Sequence, residues 1–139
     1  MSGVTHIAVG ALLGVATANP AGAFSLGVLS HLVIDSLPHN EWFPIWGEIA
    51  TSTTALVLLA VFAPPLTSAV FWGALGAAMP DLEIVVLTFW RGVGVQPETV
   101  LFHRLVRQPA AHRLCERCIQ LGLLLGSAGL LFLSRAIWT

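Results

Sequence analysis

Apolar runs, cut at short intervals by proline and glycine, leave this chain one economical way to fold: as helices that bury one another or face lipid. Of its 139 residues, 56% are hydrophobic and 9% charged, and the mean hydropathy is +0.85. A soluble domain would carry about 25% charged residues. The expected class is therefore all-α: an integral membrane bundle of about five transmembrane helices plus one interfacial amphipathic helix. It forms a single membrane domain over residues 1–139, with no room for a separate soluble module. Net charge is −1, lysine is absent, and no nucleic-acid motif occurs, so nucleic acid is not an expected partner.

The pattern places helix 1 at about Val4–Ala18, followed by the turn Asn19-Pro20-Ala21-Gly22. Helix 2 covers about Ala23–Leu37, and a polar, aromatic loop runs from Pro38 to Gly47. Helix 3 covers about Glu48–Phe62 and breaks at Pro64-Pro65; helix 4 covers about Thr67–Met79 and ends at Pro80-Asp81. Leu82–Trp90 is too short to span and is expected to be interfacial or re-entrant, because a spanning helix needs about 20 residues. Pro97–Arg107 reads as the amphipathic helix, and the last helix covers about Ala110–Ile137. Val4–Ala18 has the apolar character of a signal peptide, but no Lys or Arg precedes it, so it is expected to be retained.

Five of the six arginines (Arg91, Arg104, Arg107, Arg113 and Arg117) fall between the end of helix 4 and the first turns of the last helix. By the positive-inside rule that region is cytoplasmic, as are the Pro38–Gly47 loop and the N-terminus. Whatever the absolute orientation, His6, His31, Asp35, His39, Glu48, Asp81, Glu83, His103 and His112 then gather toward one face. A faint repeat of helical hairpins, residues 4–39 and 46–81, points the same way, pairing Pro38 with Pro80, His39 with Asp81 and His6 with Glu48.

Ionisable groups at membrane depth are costly and usually functional. His31 and Asp35 lie one helical turn apart and can address a common ion. Imidazole and carboxylate suit zinc, with manganese or iron as alternatives. The expected metal ligands are His31, Asp35 and Asp81, with His6 and His39. The competing readings are structural: His31 and Asp35 bonding only each other, and Asp81 capping the segment after a helix stop. His112, Cys115 and Cys118 spread over about 120° of a helix and make poor joint ligands, so the cysteines read as small packing residues. Gly10-x3-Gly14 and Gly122-x3-Gly126 are patterns for close helix packing, within the chain, between copies or in a larger membrane complex.

Thr5-His6-x3-Gly10, Ser30-His31-x3-Asp35-x3-His39, Gly76-x3-Pro80-Asp81 and Phe102-His103-Arg104 together resemble the small bacterial membrane-bound metal-dependent hydrolases of the YdjM type. That group is similar in its motifs to zinc-dependent phospholipase C. The resemblance spans most of residues 5–113 and implies a bacterial inner-membrane enzyme. Its metal site would draw on His6, His31, Asp35, Asp81 and His103. Two features depart from the family pattern. The Ser-His-x3-Asp block here precedes the Pro-Asp block, and His103-Arg104 continues as Leu105-Val106-Arg107-Gln108-Pro109 instead of Gly-x-Thr-His-Ser.

The expected function is hydrolysis of a phosphoester at headgroup level, on a phospholipid or polyprenyl phosphate. Arg104 would hold the anion and His103 would protonate the leaving group. The alternatives are a non-enzymatic small subunit or scaffold of a membrane complex, haem-binding in one variant, and a proton or ion conductor. The one-sidedness of the polar groups disfavours the conductor.

Overall fold

A computed structural model of the chain describes residues 2–17, 19–37, 44–62, 68–91 and 113–138. Among these the architecture is all-helical, with no strand: α1 (Gly3–Thr17), α2 (Pro20–Asp35), α3 (Ile45–Phe62), α4 (Ser68–Arg91) and α5 (Arg113–Trp138). The amphipathic segment expected at Pro97–Arg107 lies outside the described residues.

The turn before α2 is tighter than its sequence suggests. Asn19 is extended (φ −119°, ψ 117°) and its Oδ1 accepts from the amides of Ala21 and Gly22 at 3.0 and 3.2 Å. Pro20 follows as the first helical residue, where its missing N–H costs nothing. The helix therefore starts at Pro20 and not at Ala23.

The largest correction concerns α4. Helix 4 was expected to stop at Pro80-Asp81, with Leu82–Trp90 lying at the interface. Instead one helix of 24 residues runs from Ser68 through Pro80 to Arg91. Proline is barred from helix interiors because it lacks an N–H and crowds the carbonyl four residues back. Here that carbonyl belongs to Gly76, whose Cα is packed so closely on α2 that an added Cβ would land on the carbonyl of Phe24. Tertiary packing thus carries the helix past its own breaker, and Asp81 is a mid-helix residue and not a cap.

α1 and α2 pack against α4 at backbone distance. A Cβ on Gly10 or on Gly27 would each meet the carbonyl of Gly73, and one on Gly73 would meet the carbonyl of Gly10. The apolar core beside this crossing is correspondingly small-residued: Ile7, Ala11, Val70 and Ala74, flanked by Leu56, Leu59 and Ala78. α5 leans on α1, tied by Gln120, whose Oε1 accepts from the Ser2 amide at 3.4 Å.

α4 is long and apolar enough to cross a membrane. α1, α2, Ile45–Val61 of α3 and Arg117–Leu133 of α5 are apolar but shorter than a full span. Beside the apolar core, His6, His31 and Gln120 are fully buried, and Val61, Phe89, Leu125 and Phe132 are exposed.

Candidate metal centre

The polar cluster forms where the start of α1, the end of α2 and the middle of α4 converge. His6 stands in the first turn of α1, His31 and Asp35 close α2, and Asp81 follows Pro80 in α4. A carboxylate at a helix C-terminus faces the negative end of the macrodipole. Asp35 occupies such a position while only 2% exposed, so it requires positive partners.

Those partners are two imidazoles. Asp35 Oδ1 lies 3.1 Å from His6 Nε2, and its Oδ2 lies 3.1 Å from His31 Nε2. The rings stack with centroids 3.9 Å apart and planes inclined by 18°. Asp81 Oδ1 approaches His31 Nε2 to 3.6 Å, and its side chain remains about one-third exposed. The structure thus brings together four of the five expected ligands, His6, His31, Asp35 and Asp81. Within this set, one donor atom from each of His6, His31 and Asp35 falls within 4.8 Å of the others. His39, the fifth, lies outside the described residues, as do His103 and Arg104.

The hydrogen bonds decide how the imidazoles can be used. His31 Nδ1 is 2.7 Å from the carbonyl oxygen of Ala77. A carbonyl only accepts, so Nδ1 carries the hydrogen. In the neutral ring, Nε2 is then a lone pair directed at the oxygens of Asp35 and Asp81. Three acceptors facing one another repel unless a proton on Nε2 or a metal ion stands among them. His6 is fully buried, and its Nδ1 has no hydrogen-bond partner among the described residues. Protonating both rings would set two like charges face to face at stacking distance, which Coulomb repulsion opposes.

A metal ion resolves these conflicts together. Ligand atoms at about 2.0–2.2 Å from a tetrahedral zinc stand roughly 3.3–3.6 Å from each other. The observed separations of 3.1, 3.1 and 3.6 Å bracket that edge length. The Ala77 carbonyl has the form usual for metal-bound histidine, whose second ring nitrogen donates to a carbonyl or carboxylate.

Sequence reasoning missed the parts that carry no letter of their own. The Ala77 carbonyl is backbone and leaves no trace in the sequence. Glu48 was placed on the correct face, but not its role of accepting the Gly3 amide at 2.9 Å, which pins α3 to the start of α1. Ser52 was not foreseen either: its Oγ lies where a Cβ on Gly3 would fall. Glu83 is partly buried on α4. Cys115 and Cys118 are exposed thiols on α5, outside the cluster.

Asp81 connects the buried cluster to a cleft of about 170 Å³ lined by α3, α4 and Gly3. Its polar lining includes Glu48, Ser52 and Asp81, and its walls include Ile49, Leu56, Leu82 and Val85. No protein-family model, curated protein or solved structure matches the chain.

Proposed function

We propose that His6, His31, Asp35 and Asp81 hold a divalent cation, zinc in the first instance, and that the chain is a membrane-embedded metal-dependent hydrolase of phosphoesters at headgroup level. The observation that carries the metal is the arrangement at His31: Nδ1 committed to the Ala77 carbonyl, Nε2 facing two carboxylates. Two imidazoles with a carboxylate form a three-ligand donor set of the catalytic type. With Asp81 as a fourth ligand, a place for water or substrate would open by expansion to five coordinates or by displacement of that partly exposed carboxylate. The motif resemblance supports the same reaction class.

Bound in this set, a divalent metal supplies Lewis acidity and lowers the pKa of coordinated water. Asp35 holds both imidazoles in register. His31 is kept in one tautomer by Ala77, and Asp81 faces the cleft by which a substrate would approach. Arg104 and His103 complete the proposal as anion holder and general acid on sequence grounds.

Membrane embedding is supported by the span-length α4 and by apolar residues facing outward on α3, α4 and α5. Exposed apolar surface of this extent marks a face made for lipid or for a partner. With zinc restored, protein reconstituted in bilayers should hydrolyse a fluorogenic phosphodiester lipid, and a chelator should abolish the turnover. Turnover that is indifferent to chelation overturns the hydrolase reading.

One observation favours a second reading, a small subunit of a larger membrane assembly. Gly122 and Gly126 on α5 have nothing among the described residues within 4 Å of an added Cβ. That small-residue face would suit another helix.

A further inference from the structure

We propose that the α3–α4 cleft is the subsite for an aliphatic tail, so that the substrate is an amphiphile with its phosphoester joined to an extended hydrocarbon chain. The inference rests on the reading of the His6–His31–Asp35–Asp81 cluster as the hydrolytic centre.

The cleft is built from two facing stripes at helical spacing. α4 contributes Ala78, Asp81, Leu82 and Val85; α3 contributes Glu48, Ile49, Ser52 and Leu56. Gly3 joins the polar groups: its amide bonds Glu48, and a Cβ there would strike Ser52 Oγ and lie 3.8 Å from Asp81 Oδ2. The polar side chains, Glu48, Ser52, Thr53 and Asp81, are thus gathered at the Gly3 end of the cleft. Beyond it, Leu56 and Ala78 form an inner end that packs on the Ile7–Val70 core and offers no polar side chain.

A small water-soluble phosphoester would leave that inner end without a complement. A tail descending from a head at Asp81 fills it. Pockets of this kind bind through apolar walls, with a few polar groups fixing orientation. The route of entry is apolar as well. Val57 and Leu58 on α3 and Val86 on α4, none of which lines the cleft, expose about half of their surface, as does Leu82 at the cleft wall. α3 rests only lightly on α4. A lipid tail can thus slide in sideways without passing through water.

The test uses dodecyl methyl phosphate carrying a diazirine at the fifth carbon of its tail, photolysed with the full chain in phosphatidylcholine nanodiscs, with the adducts mapped by mass spectrometry. Labelling is expected at Leu56 and its neighbours. An excess of unlabelled dodecyl methyl phosphate should suppress it, and the same concentration of dimethyl phosphate should not. Ala78→Phe, which fills the inner end from α4, should lower labelling there at least tenfold while the bound metal is unchanged. Leu56→Trp narrows the same end from α3, so that misfolding of one variant does not decide the result.

Labelling confined to outward positions such as Leu58 and Val86, or insensitive to both variants, overturns the subsite. So does equal competition by dimethyl phosphate. Metal content measured on the same samples separates the two claims. A labelled cleft in protein that takes up no metal overturns the hydrolase reading and leaves an alkyl-binding cleft. Metal-loaded protein with an unlabelled cleft overturns the tail subsite alone.

Discussion

Gly73→Ala is expected to destabilise the fold by about 3 kcal/mol or more, at or beyond the top of the usual range for overpacking. One added methyl would meet the Gly10 carbonyl oxygen, with the Gly10 carbonyl carbon at 3.1 Å and the Gly14 amide nitrogen at 3.2 Å. These are backbone atoms of α1, so no rotamer change relieves the clash; α1 must move off α4. The Gly73 carbonyl is also the atom against which Gly10 and Gly27 pack, so separating α1 disturbs α2 as well. Thermal unfolding followed by circular dichroism should show a fall in Tm on the order of 10 °C. Gly122→Ala is the internal control. It makes the same chemical change on α5 in open space, where the gain in helix propensity, about 1 kcal/mol at most, is all that is expected. Equal effects of the two substitutions would contradict the close three-helix packing.

His31→Ala is expected to abolish metal retention. Changing a group that merely orients a ligand typically costs 10–100-fold in metal affinity. Removing His31 should cost more, because it deletes a donor and also frees the carboxylates that His31 faces. Competition against a chromophoric chelator measures the loss. The helical content should persist, since the α1–α2–α4 crossing at Gly73 does not involve His31. Cys115→Ser with Cys118→Ser should leave affinity unchanged, because both thiols are exposed on α5 and apart from the cluster. Undiminished metal binding in His31→Ala, or loss in the cysteine variant, would move the metal away from the proposed ligands.

The site was legible in the sequence where side chains speak through spacing. His31 and Asp35 at i and i+4 share a helical face by geometry alone. His6 and Asp81 were reachable by counting helices back and forth, because an up-and-down bundle returns alternate ends to one side. The course of α4 was not legible. Pro80 is a helix breaker by every local rule, and only the seating of Gly76 on Phe24, a contact across 52 positions of sequence, explains why the helix continues. The same continuity supplies the Ala77 carbonyl that fixes His31. Backbone acceptors leave no mark in the sequence, so the feature that best argues for a metal had to come from the fold. The shortness of the other apolar runs was legible, and helix 4 was read too short: among the described residues α4 is the helix that reaches bilayer length.

X-ray absorption at the zinc edge of the zinc-loaded protein tests the central claim most directly, since it reads the ligands themselves. The account predicts a shell of nitrogen and oxygen at about 2.0–2.1 Å with the multiple scattering of imidazole, from His6 and His31, and no sulfur. A sulfur shell at about 2.3 Å, which would place the metal on Cys115 and Cys118, or a protein that retains no zinc at all, would contradict it.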